Sequence, residues 1–296
     1  YKMPIKVRKG TPAQYFAGFD TINRSAEQTT ESLTVNPSNI RKSVVLPSDE
    51  ITYNDTAQKV IDLIKYNMVS SAQDLADSVG DGFYGDGTNT KEFVGLEGIV
   101  DDGTNLATYF GLSRSTYTTL QSTIDSSSNV LSQAKMTSLY NDITDGSQAP
   151  TDIYTTPTIS GLFERIAAAG QRINISSESV KKDGLVGQLG FSDANLFFKG
   201  LPVKRDRKCT DDVMYMVNMK YINFYFKRFF GTKPVEISNK IINGNDYSNF
   251  PSGVFGWTGW TKSYNQEAYA GDVILSGQLV SENPKRHGKL TGITTV

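Results

Sequence analysis

One apolar stripe between residues 60 and 79 constrains this chain more than any other feature. Val60, Ile61, Ile64, Met68, Ala72, Leu75, Ala76 and Val79 recur at three- and four-residue spacing. That is the periodicity of one face of an α-helix. Asp55 is a sound N-cap, and Gln58 three residues on completes a capping box. Gly80 is the expected stop. The spacing predicts a helix over residues 55–79, roughly 37 Å long at ~1.5 Å per residue. Such a length spans a thin, extended domain.

Residues 80–114 follow and are mostly turns. Asp81-Gly82, Asp86-Gly87 and Asp102-Gly103, with a Gly80-Asp81 lead-in, punctuate the stretch. Such pairs favour tight turns, because glycine takes positive φ at no steric cost and Asp bonds its own backbone. Between the turns lies one apolar run: Phe93, Val94, Leu96, Ile99 and Val100. Gly85-Asp86-Gly87-Thr88 lacks the Lys-Ser or Lys-Thr that a phosphate loop carries after its last glycine. A calcium loop begun at Asp81 would put Phe83 and Gly85 at ligand positions, so that pattern fails as well.

Residues 1–50 read as extended. Ile5 and Val7 alternate with Lys6 and Arg8, Tyr15, Phe16 and Phe19 follow, and Val44, Val45 and Leu46 precede Pro47. These runs predict a long hairpin over roughly residues 8–46. It carries few large apolar residues for its length, so it cannot build its own core and needs a surface to lie on. The region is basic, with Lys2, Lys6, Arg8, Lys9, Arg24, Arg41 and Lys42. The helix region is acidic, with Asp49, Glu50, Asp55, Asp62, Asp74, Asp77 and Asp81. Arm and helix either attract each other, within or between subunits, or are two solvated faces.

Further along, helix and strand signals alternate, which makes the class α+β. Ser132 opens a helix through Tyr140 that ends near Gly146. Residues 152–155 read as a strand, and Thr156-Pro157 starts a helix to about Ala169. Strands are expected over residues 196–198, 201–204, 213–217 and 272–280. Residues 221–230 are strongly aromatic, with Tyr221, Phe224, Tyr225, Phe226, Phe229 and Phe230. A buried or subunit-facing strand fits them better than a base-stacking platform. Residues 231–264 are loop-rich, and residues 282–289 form a polar tail.

The composition supplies no catalytic centre. Lys plus Arg number 30 against 31 Asp plus Glu, so no global charge draws the chain to nucleic acid. Near-neutrality suits a protein that spends its life assembled. The 296 residues, 38% hydrophobic, allow one large or two modest domains. A single Cys, Cys209, excludes an intramolecular disulfide and points to a reducing cytoplasm. Arg205, Arg207 and Lys208 beside it favour a thiolate, yet a surface turn is the plainer reading. His287, the one histidine, lies in a polar turn and is expected to be solvated. No triad and no nucleophile elbow is present. No apolar run approaches the ~20 residues of a membrane helix. The chain opens on Tyr1 directly into strand-like sequence, so an upstream leader, cleaved or simply not included, is expected. No catalytic residue, cofactor or metal ligand is assigned, and the chain is expected not to be an enzyme.

Read in order, several segments resemble the major capsid proteins of tailed double-stranded DNA bacteriophages. Tyr15-Phe16-Ala17-Gly18-Phe19-Asp20-Thr21 is similar to the strand entering that family's extended loop, and residues 39–47 to its returning strand. Residues 55–79 resemble the spine helix. Gly85-Asp86-Gly87-Thr88, Phe93, Gly95-Leu96, Asp102-Gly103-Thr104 and Gly111-Leu112-Ser113-Arg114 resemble the segment after it. Ala134-Lys135-Met136, residues 150–156, Leu189-Gly190-Phe191, Gly200-Leu201-Pro202-Val203 with Asp206, and residues 215–221 match central-domain patterns. Gly277-Gln278-Leu279-Val280, Asn283-Pro284 and residues 288–292 match the closing pattern. The likeness is collinear over nearly the whole chain.

The resemblance implies a Hong Kong 97-type fold, α+β, with an extended hairpin loop, a spine helix, and peripheral and central domains. On that scheme residues 1–50 are the loop and its entry strands, and 51–112 the peripheral domain. Residues 113–268 are the central (axial) domain, and 269–296 the peripheral return strand. It implies a virion shell of hexamers and pentamers around double-stranded DNA, without sequence-specific contacts or membrane, assembled in a host bacterial cytoplasm. Portal, scaffold and decoration proteins are the expected partners. Intersubunit contact candidates are Arg8, Tyr15, Phe16, Phe19, Arg41, Lys42, Asp62 and Asp74. Some relatives crosslink Lys to Asn; Lys42 is a conceivable donor, but no crosslink is assigned. The alternatives are an encapsulin-like shell, a decoration or adhesion protein, and a hydrolase built on the module after residue 110.

Overall fold

A computed structural model describes residues 1–13, 15–20, 27–53, 57–126, 130–170, 196–227, 255–264 and 266–294. The chain begins with strands β1 (Lys2–Lys6), β2 (Thr30–Thr34) and β3 (Ser38–Pro47). Helices α1 (Ser48–Tyr53), α2 (Ala57–Gly82) and α3 (Leu96–Ile99) follow. Then come β4 (Thr108–Tyr109), β5 (Leu112–Ser113), β6 (Thr123–Asp125), α4 (Gln133–Ile143), β7 (Asp152–Thr155) and α5 (Pro157–Gly170). The last strands are β8 (Phe197–Phe198), β9 (Leu201–Arg205), β10 (Met214–Val217), β11 (Ile222–Phe226), β12 (Phe255–Trp257), β13 (Thr261–Lys262), β14 (Ala268–Ser281) and β15 (Gly288–Leu290).

Two compact units emerge. One comprises Tyr1–Val35, Leu96–Asn223 and Val280–Val296; the other Asn36–Gly95 and Phe224–Leu279.

The first unit is built on a six-stranded mixed sheet, ordered β6-β15-β10-β7-β9-β8. β10 lies between antiparallel neighbours β15 and β7, and β7 runs parallel to β9. Met214 and Met216 on β10 are buried with Met136, Leu139 and Ile143 of α4 and with Ile159 and Phe163 of α5. The local signals explain the helices. Ser132 accepts the Lys135 N–H at 3.3 Å as the N-cap of α4, and Pro157 opens α5. Gly288 lets β15 approach α4 closely; a Cβ there would lie 2.7 Å from Leu139. The expected polar tail over 282–289 is therefore corrected. Its end is an interior strand, because β10 offers a free edge that β15 completes.

In the second unit β14 pairs β3 over ten residues, from Ala268↔Pro47 to Gly277↔Ser38. β11, β12 and β13 also pair with it. α2 lies on this sheet through Ile64, Met68 and Leu75, which are buried with Val44, Leu46, Trp260 and Val273. Residues 39–47 are thus not the hairpin's returning strand. β2 closes the hairpin on β1, while Val44 and Leu46 find their apolar partners under α2. The helix ends at Gly82 rather than Gly80, with Phe83 N–H still bonded to the Val79 carbonyl at 3.0 Å. A Cβ at Gly82 would lie 2.5 Å from the Phe93 ring, so this glycine gives Phe93 its seat over the helix end. Ala76, expected on the stripe, is exposed. Asp55, the side chains of Gln58, Val60 and Ile61, Leu189-Gly190-Phe191, Phe229 and Phe230 lie outside what is described. Within the aromatic run, Phe224 packs edge-on against Phe83 and Phe93, with centroids 5.4 and 5.9 Å apart. That is the packing role expected of it.

Candidate functional site

The hairpin has a fastened base and a bare tip. Along β1 and β2 the register pairs Met3 with Leu33 and Ile5 with Glu31, and Ile5, Val7, Leu33 and Val35 are buried. Polar contacts hold this base. The Thr119 hydroxyl donates to the Val7 carbonyl at 2.7 Å, and the Tyr117 hydroxyl donates to Glu31 at 3.4 Å. The Arg8 guanidinium sits 5.7 Å over the Tyr117 ring. Further out, the Thr11 N–H donates to Glu27 at 2.8 Å, tying the two legs together. The Asp20 carboxylate accepts the Ala17 N–H at 2.8 Å and closes a turn. Around that turn Tyr15, Phe16 and Phe19 are 105%, 68% and 106% exposed.

Exposed aromatic clusters with polar rims mark interaction surfaces. Burying each such side chain is worth about 1.5–3 kcal/mol before ordering costs. The tip therefore holds a large unspent hydrophobic contribution.

The other sequence candidates are distributed differently. Lys42 on β3 pairs with Asp74 on α2 at 2.8 Å, and Arg41 lies 3.7 Å from Asp272. The basic and acidic segments thus meet partly within one unit. The Asp62 side chain lies outside the described residues.

A buried polar centre escaped the sequence reading. Lys289 on β15 is 1% exposed and donates to Glu97 at 2.6 Å. The Tyr215 phenol, on the register partner of Lys289, donates to the other Glu97 oxygen. Burial first, and then the Glu97 charge, push that phenol's pKa up. Nearby, the Asp101 carboxylate accepts the N–H groups of Gly103 at 2.9 Å and Leu106 at 3.0 Å. Arg114, fully buried, donates to the carbonyls of Gly98, Ile99 and Asp101. Within the Asp-Gly-rich segment, the stretch from Gly98 to Asp101 is thus tied by its carbonyls to one arginine. Isolated residues such as Lys289 carry no periodic signal, so only the paired strand reveals them.

Two expectations are corrected. Cys209 is buried rather than at a surface turn, and burial, with the charges of Asp206, Glu97 and Asp211, pushes its thiol up to about 12. The neighbouring cations do not activate it. His287 is buried rather than solvated. Among the described residues no group of three or more His, Cys, Asp or Glu is placed to hold a metal ion.

No protein-family model and no curated protein matches the sequence. Solved structures share the fold. A capsid asymmetric unit of cyanophage A-1(L) matches with TM-score 0.70 at 18% identity, over 99% of this chain and 88% of that one. The capsid of a native GTA particle matches with TM-score 0.57 at 7% identity, over 99% and 85%. An encapsulin from Synechococcus elongatus matches with TM-score 0.55 at 10% identity, over 90% and 79%. The chain has the Hong Kong 97-type capsid fold.

Proposed function

We propose that this chain is the major capsid subunit of a tailed double-stranded DNA bacteriophage. Copies assemble into hexamers and pentamers that close an icosahedral shell around the genome. The supporting observation is the likeness to the cyanophage shell subunit over 99% of this chain at TM-score 0.70. It takes in hairpin, long helix and mixed sheet together, not one domain. The unit carrying α2 and the β3–β14 sheet takes the peripheral role, and the six-stranded sheet unit the axial one. Tyr15, Phe16 and Phe19 serve as intersubunit anchors, and Arg8 and Arg41 as flanking contacts. DNA is enclosed without sequence-specific contacts. Portal, scaffold and decoration proteins are its partners, the virion its location, and the host cytoplasm its place of assembly. No catalytic role is part of this reading.

An encapsulin-like shell is the second reading, favoured by the Synechococcus elongatus match. Particle contents separate the two: double-stranded DNA for the first, protein cargo for the second.

Negative-stain microscopy of the bacterially expressed chain tests the shell itself, with and without the natural sequence preceding Tyr1. Closed angular particles, or five- and six-fold rings, are expected. A folded monomer in every preparation, scaffold included, overturns the proposal and puts a decoration or adhesion role first.

A further inference from the structure

His287 takes part in none of the contacts above. It ends the turn Pro284–Arg286 that leads into β15, and it is fully buried. Its Nδ1 lies 3.1 Å from the Asn218 N–H, so Nδ1 must accept. Nε2, 2.7 Å from the Ser281 hydroxyl oxygen, then carries the proton and donates. The ring joins three places in one unit: the residue after β10, the end of β14, and the turn into β15.

Among the described residues no charged group is bonded to the ring. The Asn218 side chain donates to the Ala149 carbonyl at 2.8 Å and accepts the Lys220 N–H. The Tyr109 phenol donates to the Ser281 carbonyl and accepts its N–H. Arg114, against the Tyr109 ring, is engaged by loop carbonyls. Glu282 is bonded to Asn223, Arg286 to Asp145 and Lys289 to Glu97. Lys220 and Lys285 are exposed. Among the described residues no carboxylate bonds the ring, and burial alone lowers the imidazole from its ordinary 6.5 to about 3.

We propose that His287 is an acid-released latch. A proton taken from solvent onto Nδ1 sets two N–H donors head to head, breaks the Asn218 bond, and frees the end of β10 and the entry to β15. The chain leaves this unit after Asn223 and re-enters it at Val280, so both latch partners stand close in sequence to those crossings. The opened segment binds its proton near pH 6.5 and the closed latch only near pH 3. Opening is therefore independent of pH above about 6.5 and grows steadily more favourable below it. At pH 5 the opened population should rise about thirtyfold over its value at pH 8.

Hydrogen exchange of the full chain at pH 8 and pH 5, corrected for the intrinsic exchange rate, reads this directly. Peptides spanning 214–222 and 281–290 should lose protection by up to about thirtyfold, while those over 133–143 change less. H287Q, whose amide can make both bonds without titrating, should abolish the difference. Equal protection at both pH values in the natural chain, or the same loss in H287Q, overturns the latch. Because the chain has one histidine, its ring signals in NMR titrate without any variant. A ring still neutral at pH 5 in the closed state supports the latch, and titration near 6.5 with no change in exchange ends it.

Discussion

The hairpin tip and the mixed sheet invert the usual sorting of side chains. At the tip three aromatics stand in solvent, while in the unit built on the mixed sheet a lysine, a histidine and an arginine are fully buried. Hydropathy does not decide these positions; partners do. Lys289 has Glu97, Arg114 has three carbonyls, and His287 has a backbone N–H and a hydroxyl. Buried polar groups are as a rule hydrogen-bonded, and these follow the rule except at the Arg114 Nε, which has no partner among the described residues. Among the described residues nothing covers the tip aromatics, and a second copy is the proposed seat.

The contrast can be broken most severely inside the second unit, where apolar burial follows the ordinary rule. Ile64→Asp puts a carboxylate among Val44, Leu46, Met68 and Trp260. It should cost more than about 4 kcal/mol and remove the cooperative thermal transition. An unchanged transition would mean that α2 faces another way.

Next in size is Glu97→Ala, which strands Lys289 without its counter-charge. A loss of about 3–5 kcal/mol is expected in urea unfolding, with much of it recovered by adding Lys289→Met. A cost below about 1 kcal/mol would show that the Lys289 amine reaches water.

Replacing Tyr15, Phe16 and Phe19 together by Ser should do the opposite. Stability should stay within about 0.5 kcal/mol, as for surface changes, while closed particles disappear from micrographs. A lowered melting temperature with normal particles would place the tip on its own subunit instead.

The smallest effect belongs to Lys42→Ala. Its pair with Asp74 is half exposed on both sides. About 0.2–1 kcal/mol is expected at low salt, vanishing at high ionic strength.

Local chemistry made part of the fold legible. The strand over 152–155, the Pro157 start of α5 and the Ser132 cap of α4 each rest on signals within a few residues, and each stands where expected. The α2 stripe was legible at Ile64, Met68 and Leu75 because its period is set by the helix itself. At its end the same logic failed. Gly80 is a good stop in isolation, but the backbone bonds run on to Gly82, where Phe93 covers the helix from 11 residues away. At the candidate site the tip aromatics were legible as residues without a core. The Lys289–Glu97–Tyr215 centre was not, since its members stand 192 and 118 positions apart in sequence.

What the sequence determined by itself is where the backbone turns, caps and alternates, because those choices depend on side chains within a turn or two of one another. The tertiary structure alone decided that β3 belongs to β14 and not to the hairpin. It also decided that the tail returns as a central strand, and that the one histidine is dry. Strand pairing and burial are set by which distant surfaces remain uncovered once the local elements exist, and no local pattern encodes that.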